Sequence, residues 1–380
     1  MQINLKGIFL SDLHRVQLHI NLDLLYQNIQ KMSLRVAPTL LMPVLKANAY
    51  GMGAVEIGRF LSSKGVKTTG VADIREALEL SPYFDEIHIL GDVFDKELAV
   101  AQENNFVCPI TSFSRIKDWY KIVKNNKQKL KIQINLDTGM GQLGLKPIEI
   151  YEKWELLKNN ENIEVVGLYS HFTNGDFLND PHSRMQLKLF KEVLAFFLDK
   201  KIILKNTHIG NSSAINFMPD SYQGFSHVRT GINIYGVQSE ITARENYLKP
   251  VLNLQSKIIN IKNLTKGDTV GYQKTYKLTE NKKVATIPFG YADGMPFGAK
   301  ENGRVLIGGS FCNILGRVSM DYITVDVTQL REVVIEDIVT LIGKDGKNEV
   351  TVEDWARWKQ SIPYDVICSL DRPRIYKNYR

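Results

Sequence analysis

Residues 43–53, PVLKANAYGMG, join the end of an apolar run to a lysine and a glycine-containing loop. The apolar run over residues 40–45 predicts a short buried strand, and Asn48 with the glycines after it ends that strand in a loop. Lys46 therefore lies where a strand leaves a hydrophobic core. Burial disfavours the charged form of an amine, and a lysine in such a place can form a Schiff base with a carbonyl compound. The alternative is a structural lysine whose charged end extends from the strand into water.

Strand-like and helix-like segments alternate from this strand to about residue 236. Apolar runs predict eight strands, at 41–45, 69–72, 87–90, 106–110, 130–136, 165–168, 207–209 and 232–235. Amphipathic segments predict helices between them, at 54–63, 74–81, 114–124, 147–158 and 186–198. This alternation predicts a (β/α)8 barrel of the TIM type, and a doubly wound open sheet is the alternative.

The pattern changes after Gly236. Short strands separated by turn residues, typical of an antiparallel β domain, are predicted at 252–261, 283–287, 304–307, 312–315, 323–327 and 338–342. Residues 16–20 also alternate as a strand, ahead of a first helix at 23–32, and are candidates to pair with this β domain. The sequence thus predicts a barrel over residues 1–240 and a mostly antiparallel β domain over residues 241–380.

Composition argues against several classes of protein. A net charge of +7 invites a nucleic-acid partner, but the lysines are scattered and no nucleic-acid-binding motif accompanies them, so none is expected. Cys108, Cys312 and Cys368 form no CxxC pair, so neither a disulfide framework nor a zinc site is expected. No signal segment and no apolar run of roughly 18 residues is present, so we expect a cytoplasmic protein without a membrane partner.

A series of short motifs follows in order along the whole chain. They are KANAYG at 46–51, DTGMG at 137–141, HIGNSS at 208–213, RTGI at 229–232, YG at 235–236, GY at 271–272, GYADG at 290–294, GRVSMD at 316–321 and RPR at 372–374. In this order they resemble the alanine racemases, and together they are far more specific than any one motif. The resemblance implies a pyridoxal-phosphate-dependent isomerase that interconverts L- and D-alanine and supplies D-alanine for cell-wall precursors.

The resemblance also assigns two catalytic residues. Lys46 resembles the lysine that holds pyridoxal phosphate and moves a proton on one face of the substrate. Tyr272 resembles the acid/base on the opposite face, which a second subunit contributes, and this implies a homodimer with shared sites. His171 resembles the histidine that hydrogen-bonds this tyrosine, where a cationic neighbour would lower the tyrosine pKa from about 10. Taken alone, Tyr272 is more often a packed strand aromatic and His171 a structural histidine.

Other residues resemble the cofactor's binding site. Arg229 resembles the arginine that donates to the pyridine nitrogen, and His208 resembles the residue that orients this arginine. Because arginine does not readily give up its proton, that nitrogen would stay unprotonated. The resemblance implies phosphate contacts by Tyr50, Asn211, Ser212, Gly231 and Ile232. Without it, Arg229 would be an ordinary ion-pair arginine, and Asn211 with the serines after it a helix N-cap.

Substrate contacts are implied for four residues, and no metal ligand is implied. Met320 of the second subunit, with Asp321 next to it, resembles the contact to the substrate carboxylate. Tyr291 resembles part of the entrance to the site. Gln142 stands where an arginine commonly contacts the phenolic oxygen of the cofactor.

Gln142 is one of four departures from the family pattern. Asn135 stands where a carbamylated lysine is common, so this pair of changes removes one local anion and one local cation. Met52 stands where a histidine is usual, and Leu370 where many members carry a tyrosine that narrows the entrance. We therefore predict weaker constraints on the cofactor and a substrate range wider than alanine, with serine as an example.

Two other functions stay open at this stage. One is a pyridoxal-phosphate-dependent amino-acid decarboxylase of similar build, although such enzymes usually place an acid, rather than an arginine such as Arg229, against the pyridine nitrogen. The other is a non-catalytic pyridoxal-phosphate-binding protein, although carriers of this barrel type generally lack the β domain predicted after Gly236.

Overall fold

The computed structural model describes residues 13–123, 128–158, 161–175, 180–237 and 247–380. These residues form two compact units. One contains the described residues between 26 and 234 together with 247–248, and the other contains 13–25, 235–237 and 249–380. The boundary expected between residues 240 and 241 lies outside the described residues.

Eight strands form the centre of the first unit. The strand that precedes them in the chain, β1 (Val16–Ile20), belongs to the second unit. The eight are β2 (Leu40–Pro43), β3 (Thr68–Val71), β4 (Glu86–Ile89), β5 (Val107–Ile110), β6 (Leu130–Asn135), β7 (Ile163–Tyr169), β8 (Asn206–His208) and β9 (His227–Thr230).

Helices alternate with these strands, as the sequence predicts. They are Leu22–Val36, Ala54–Ser63, Ile74–Leu80, Leu98–Glu103, Ile116–Ile122, Pro147–Lys153, Glu155–Lys158, Pro181–Asp199 and Ser212–Phe217. The last residue of the helix predicted at 114–124 lies outside the described residues. No helix in the described parts of the chain is both long enough and apolar enough to cross a membrane.

The eight strands close into a barrel, which confirms the predicted fold. Strands β3 to β8 pair in chain order in one parallel sheet, and β2 pairs in parallel with β9. A bridge between Val44 and Gly70 joins the end of β2 to β3, where the Leu45 N–H donates to the Gly70 carbonyl at 2.9 Å. At the other seam, the Arg229 N–H donates to the Gly210 carbonyl at 3.2 Å, just beyond β8.

One predicted barrel strand is wrong. Residues 232–235 form a 3-10 helix, and the eighth strand is β9, which ends at Thr230. The segment is apolar because Ile232, Ile234 and Tyr235 are completely buried, and a buried helical turn has the same composition as a buried strand.

The parallel direction of the strands decides where the chemistry can lie. Lys46 follows β2, His171 follows β7, Asn211 follows β8 and Gly231 follows β9. Because the carboxyl ends of parallel barrel strands meet at one rim, these residues lie at the face where barrel enzymes carry their active sites.

The second unit is mostly antiparallel, as predicted. Its further strands are β10 (Leu252–Lys257), β11 (Asn260–Leu264), β12 (Thr269–Val270), β13 (Tyr276–Lys277), β14 (Lys282–Ile287), β15 (Arg304–Ile307), β16 (Ser310–Asn313), β17 (Ile323–Asp326), β18 (Ile338–Asp345), β19 (Asn348–Val350) and β20 (Ile375–Tyr379). Its helices are Ala299–Asn302, Val352–Lys359 and Pro363–Cys368.

Three sheets arrange these strands. The largest has the order β16-β15-β18-β10-β1-β20, with β19 paired to β18. The other two are β11-β14-β17 and β12-β13. Strand β1 runs antiparallel to β10 and parallel to β20, so the expected pairing of residues 16–20 with the β domain is confirmed.

The single strand predicted at 252–261 is wrong, because it is interrupted at Ile258. The Ile258 N–H donates to the Asp337 carbonyl at 3.0 Å, and its carbonyl accepts from the Glu336 N–H at 2.8 Å. These bonds take Ile258 out of both ladders and separate β10 from β11.

Candidate active site

Lys46 lies directly after β2, at the start of a left-handed turn. Residues 47–50 have φ angles between 52° and 58°, although none of them is glycine. Left-handed backbone costs an L-residue roughly 1–2 kcal/mol, so four in succession need support from the surrounding structure. The loop that the sequence predicts here is therefore a strained turn, and it fixes the backbone beside Lys46.

Two side chains hold this turn in place. Glu76 accepts hydrogen bonds from the Ala47 N–H at 2.6 Å and from the Ala72 N–H at 2.7 Å, one on each carboxylate oxygen. Asn48 Oδ1 accepts from the Ala54 N–H at 2.8 Å. Because Ala72 directly follows β3, the Glu76 carboxylate ties the turn to the neighbouring barrel strand.

Arg229 is buried inside the barrel, with 5% of its surface exposed. Its Nη1 donates to the Nδ1 and the carbonyl of His208. Its Nη2 donates to the Ser170 carbonyl at 2.7 Å, to the Ile209 carbonyl at 3.1 Å and to His171 Nδ1 at 3.1 Å. Within the described residues nothing supplies an acceptor to its Nε, so this one donor remains available to a ligand.

The guanidinium stays charged in this buried position. Burial lowers the pKa of Arg229 to about 10, while Tyr169 and Tyr50 act in the opposite direction. The Tyr169 ring lies beneath the guanidinium, 5.9 Å from ring centroid to Cζ, and its hydroxyl donates to the Leu90 carbonyl at 3.1 Å. Arg229 is therefore a fixed cation at neutral pH.

The two histidines beside Arg229 are neutral. A guanidinium has only donors, so the Nδ1 atoms of His208 and His171 must accept, and each ring carries its hydrogen on Nε2. Burial, followed by the charge of Arg229, lowers the pKa of His208 well below its usual value. Its Nε2 is buried without a hydrogen-bond partner in the described part of the chain.

His171 differs from His208 because its ring reaches solvent on one side. Burial of its other side, and then the charges of Arg229 and Lys46, lower the pKa of His171 far below its usual value. Because one side of the ring is open to solvent, the charges of Arg229 and Lys46 act on it together with the burial of its other side. His171 is therefore not the cationic neighbour that the sequence suggested for Tyr272.

Three of the predicted phosphate contacts lie together next to the turn. The Gly231 N–H donates to Ser212 Oγ at 2.8 Å. A Cβ added to Gly231 would lie 2.1 Å from the Tyr50 hydroxyl oxygen, so the phenol rests directly on the bare Cα of this glycine. The close approach explains why residue 231 must be glycine, and it places two hydroxyls and a backbone amide side by side.

The remaining predicted phosphate contacts have clear structural roles. Asn211 Oδ1 accepts from the Ala214 N–H at 3.0 Å and caps the helix Ser212–Phe217, the role that its residue type alone suggests. Ile232 is completely buried and begins the 3-10 helix after β9.

The departures from the family pattern in this unit occupy different environments. Asn135 ends β6 and is buried. Gln142 is exposed on the loop after β6, which Asp137 organises by accepting from the Gly139 and Gly141 amides at 2.9 and 3.0 Å. Met52 is completely buried behind the left-handed turn.

The other predicted site residues belong to the C-terminal unit. Tyr272 is 70% exposed, Met320 52% and Tyr291 44%, so all three present their side chains to solvent in a single chain. Asp321 accepts from Arg374 Nη1 at 2.7 Å. Leu370 is completely buried, so its side chain does not lie at any open entrance of this unit.

Sequence reasoning missed two residues of the barrel site. Glu76 supports the left-handed turn, and its spacing from Asp73, which matches a helix capping box, is the only signal that could have pointed to it. Tyr169 packs under Arg229 and reads in the sequence as an ordinary strand aromatic.

Known proteins match the chain over nearly its whole length. The family models for the alanine racemase N-terminal domain and C-terminal domain match residues 20–239 and 251–379. The alanine racemase of Streptococcus suis is 35% identical over 374 residues, which covers 96% of this chain and 99% of that protein. The crystal structure of alanine racemase from E. faecalis has a TM-score of 0.90 at 29% identity and covers 97% of this chain and 98% of that one. The alanine racemase structure from Bartonella henselae with covalently bound pyridoxal phosphate has a TM-score of 0.84 at 30% identity and covers 96% of this chain and 99% of that one. The chain belongs to the alanine racemase family.

Proposed function

We propose that this protein is a pyridoxal-phosphate-dependent racemase that interconverts L- and D-alanine. Family membership gives the reaction class, and one observation carries the proposal for this chain's own residues. It is the buried guanidinium of Arg229, whose Nη atoms are fully engaged while its Nε has no acceptor in the described residues. Such a donor, held rigidly at the rim that also carries Lys46, suits the ring nitrogen of the cofactor.

The residues at the rim fit pyridoxal phosphate. The bare Cα of Gly231 against the Tyr50 hydroxyl, with Ser212 Oγ 2.8 Å from the Gly231 nitrogen, forms a cradle of hydroxyls and a backbone amide. That donor set suits a phosphate. The charges of Lys46 and Arg229 both lower the pKa of His171, which supports a site that uses this amine and this guanidinium together. We assign Lys46 as the lysine that holds the cofactor, with Asn211 and Ile232 supporting the phosphate loops.

When bound, pyridoxal phosphate withdraws electrons from the α-carbon of an attached amino acid and acidifies its α-proton. The Lys46 amine exchanges a proton on one face of that carbon. The Tyr272 hydroxyl of a second copy exchanges a proton on the opposite face, since one base cannot serve both faces easily. Because the chain supplies Tyr272 from its C-terminal unit, we propose a homodimer with shared sites.

His171 assists this tyrosine as a neutral donor. Its Nδ1 accepts from Arg229 at 3.1 Å, so its Nε2–H can donate to the oxygen of the partner's Tyr272. A hydrogen bond to the phenolate form favours that form and lowers the pKa of a tyrosine. Arg229 thereby acts on the second base through a neutral imidazole rather than through a second cation.

The decarboxylase and carrier alternatives gain no support from the family. The guanidinium of Arg229, rather than a carboxylic acid, occupies the position proposed for the ring-nitrogen contact. The match of residues 251–379 to the C-terminal domain model argues against a carrier that consists of a barrel alone.

The test follows α-proton exchange with solvent deuterium for L-alanine, D-alanine and L-serine, with the cofactor's visible absorbance recorded on the same protein. We expect exchange from both alanine enantiomers. We also expect measurable though slower exchange from serine, because neutral Gln142 and Asn135 leave the pocket less constrained and so admit it. Lys46→Ala should abolish the bound-cofactor absorbance and all exchange, whereas the control Lys64→Ala, on an exposed helix end, should change neither. Tyr272→Phe should keep the absorbance and lose exchange from one enantiomer.

Other outcomes would contradict the assignment. Release of carbon dioxide would make the protein a decarboxylase, and bound cofactor without exchange would make it a carrier. Equal loss of exchange from both enantiomers in Tyr272→Phe would remove this residue from the role of second base.

A further inference from the structure

Arg374 joins two loops of the C-terminal unit through two carboxylates. Its Nε lies 2.8 Å from Asp293 Oδ1 in an ion pair, and its Nη1 donates to Asp321 Oδ1 at 2.7 Å. The Asp293 side chain is 3% exposed, whereas that of Arg374 is 51% exposed. A carboxylate as buried as Asp293 needs a partner for its charge, and Arg374 is the cation that reaches it from the surface.

Asp293 and Asp321 belong to loops that are packed as one body. Asp293 Oδ2 accepts from the Gly290 N–H at 2.9 Å. The Tyr291 N–H donates to the Ser319 carbonyl at 3.0 Å. A Cβ on Gly290 would lie 2.2 Å from the Met320 carbonyl oxygen, so the two backbones touch with no room for a side chain.

This body presents two exposed side chains, those of Tyr291 and Met320. The family resemblance implies that Met320 contacts the substrate carboxylate in a second copy of the chain and that Tyr291 forms part of the entrance to the site. Their positions depend on how the two loops are held together, and the carboxylate of Asp321, next to Met320, is engaged by Arg374.

We propose that Arg374 is a positioning residue that fixes Tyr291 and Met320 for the active site of the partner copy, an inference that rests on the proposed function. The planar guanidinium is the reason for arginine at this position. It offers donors in a fixed fork and can bind Asp293 and Asp321 at once, whereas a lysine ammonium is a single point charge on a flexible stem. Arg374 touches neither substrate nor cofactor, so its effect passes through the loops.

The first test separates positioning from general structure by steady-state kinetics with L-alanine on the cofactor-loaded protein. Arg374→Gln should raise KM about tenfold, which corresponds to about 1.4 kcal/mol, with kcat and the cofactor absorbance nearly unchanged. Arg374→Lys should recover only part of this loss. The matched control is Arg372→Gln, because Arg372 is an exposed arginine of the same segment whose Nε donates to the Ser369 carbonyl.

Two results would overturn the proposal. An unchanged KM in Arg374→Gln would show that the loops keep their places without the guanidinium. A joint fall of kcat, cofactor absorbance and thermal stability would show that the residue holds the fold rather than the substrate contacts.

The second test asks in which copy Arg374 acts. Arg374→Gln chains are mixed with Lys46→Ala chains under conditions of subunit exchange, and activity is followed at low L-alanine concentration. In mixed dimers, the site that uses the intact Lys46 receives its loops from the chain with an intact Arg374. Random assortment then restores roughly a quarter of the wild-type sites, with wild-type KM.

A parallel mixture of Tyr272→Phe and Lys46→Ala chains separates this proposal from the proposed function. If that mixture regains activity and the Arg374→Gln mixture keeps its raised KM, the positioning proposal alone is wrong. If the Tyr272→Phe mixture stays inactive, the shared active site itself is wrong. Recovery of both mixtures supports the two together.

Discussion

Replacing Gly231 by alanine tests the contact on which the proposed phosphate cradle depends. The backbone of Gly231 tolerates alanine, because its φ angle is not in the left-handed region, but the new Cβ would lie 2.1 Å from the Tyr50 hydroxyl oxygen and 2.6 Å from Cζ. These separations are far below van der Waals contact, so the phenol must move. Tyr50 is only 8% exposed and sits on the strained turn beside Lys46, so its displacement also disturbs that turn.

The expected effect of Gly231→Ala follows from the cost of overpacking a buried site, which is typically about 1–3 kcal/mol. If this cost falls on the bound state, affinity for pyridoxal phosphate decreases by about 5- to 150-fold. The assay is titration of cofactor-free protein with pyridoxal phosphate, followed by visible absorbance, together with thermal unfolding of the free protein. Gly58→Ala is the matched control, because its Cβ would be crowded by the Leu80 and Phe84 side chains, at 2.8 and 3.2 Å, instead of by Tyr50, inside a helix that favours alanine.

A double variant decides whether Tyr50 is the cause. In a Tyr50→Ala background the three atoms nearest to the new Cβ are gone, so Gly231→Ala should then cost little further affinity. An equal loss in both backgrounds, or wild-type affinity in Gly231→Ala itself, would refute the reasoning.

Two further variants probe the barrel. Burial and then the charge of His88 lower the pKa of His227 from 6.5 to about 4, whereas Glu86 acts in the opposite direction. As the pH falls below 6.5, the unfolded chain therefore binds a proton that the folded chain does not. His227 therefore lowers the free energy of unfolding by up to about 3 kcal/mol as the pH falls from about 6.5 to 4. Measured by urea unfolding, this free energy should fall less steeply with pH in His227→Asn than in the wild type. Parallel falls in the two proteins would contradict this. Glu76→Ala removes the acceptor of two backbone amides and should lower the free energy of unfolding by about 1.5–3 kcal/mol and weaken cofactor binding, whereas exposed Glu79→Ala on the same helix should do neither. Equal urea midpoints for Glu76→Ala and Glu79→Ala would rule out the proposed support of the turn.

The barrel could be predicted because its pattern is local and repeated. Alternating apolar runs and amphipathic segments are typical of parallel strands joined by helices. In the β domain, the strand predicted at residues 304–307 matches the observed strand in both bounds. The strand predicted at 232–235 is wrong because this segment is apolar through burial and not through strand pairing. The break at Ile258 was not predicted because the residues that hold it, Asp337 and Glu336, lie far along the sequence.

The candidate site was likewise predictable only where the local sequence carries the information. The order of the motifs pointed to Lys46 and Arg229, but the protonation of His171 follows only from the guanidinium 3.1 Å away. Glu76 was missed, because its spacing from Asp73 indicates a helix cap and not the turn that it supports. Conformation is equally invisible, since alanines at 47 and 49 favour right-handed helix by propensity.

That turn has a consequence for how the protein matures. Four left-handed residues represent about 4–8 kcal/mol of local cost, which an unfolded or nascent chain has no means of offsetting. The carboxylate of Glu76 and the barrel strands must therefore be assembled before the segment after Lys46 takes its native course. We therefore expect the cofactor to bind after the barrel has closed, and partly folded chains to lack it.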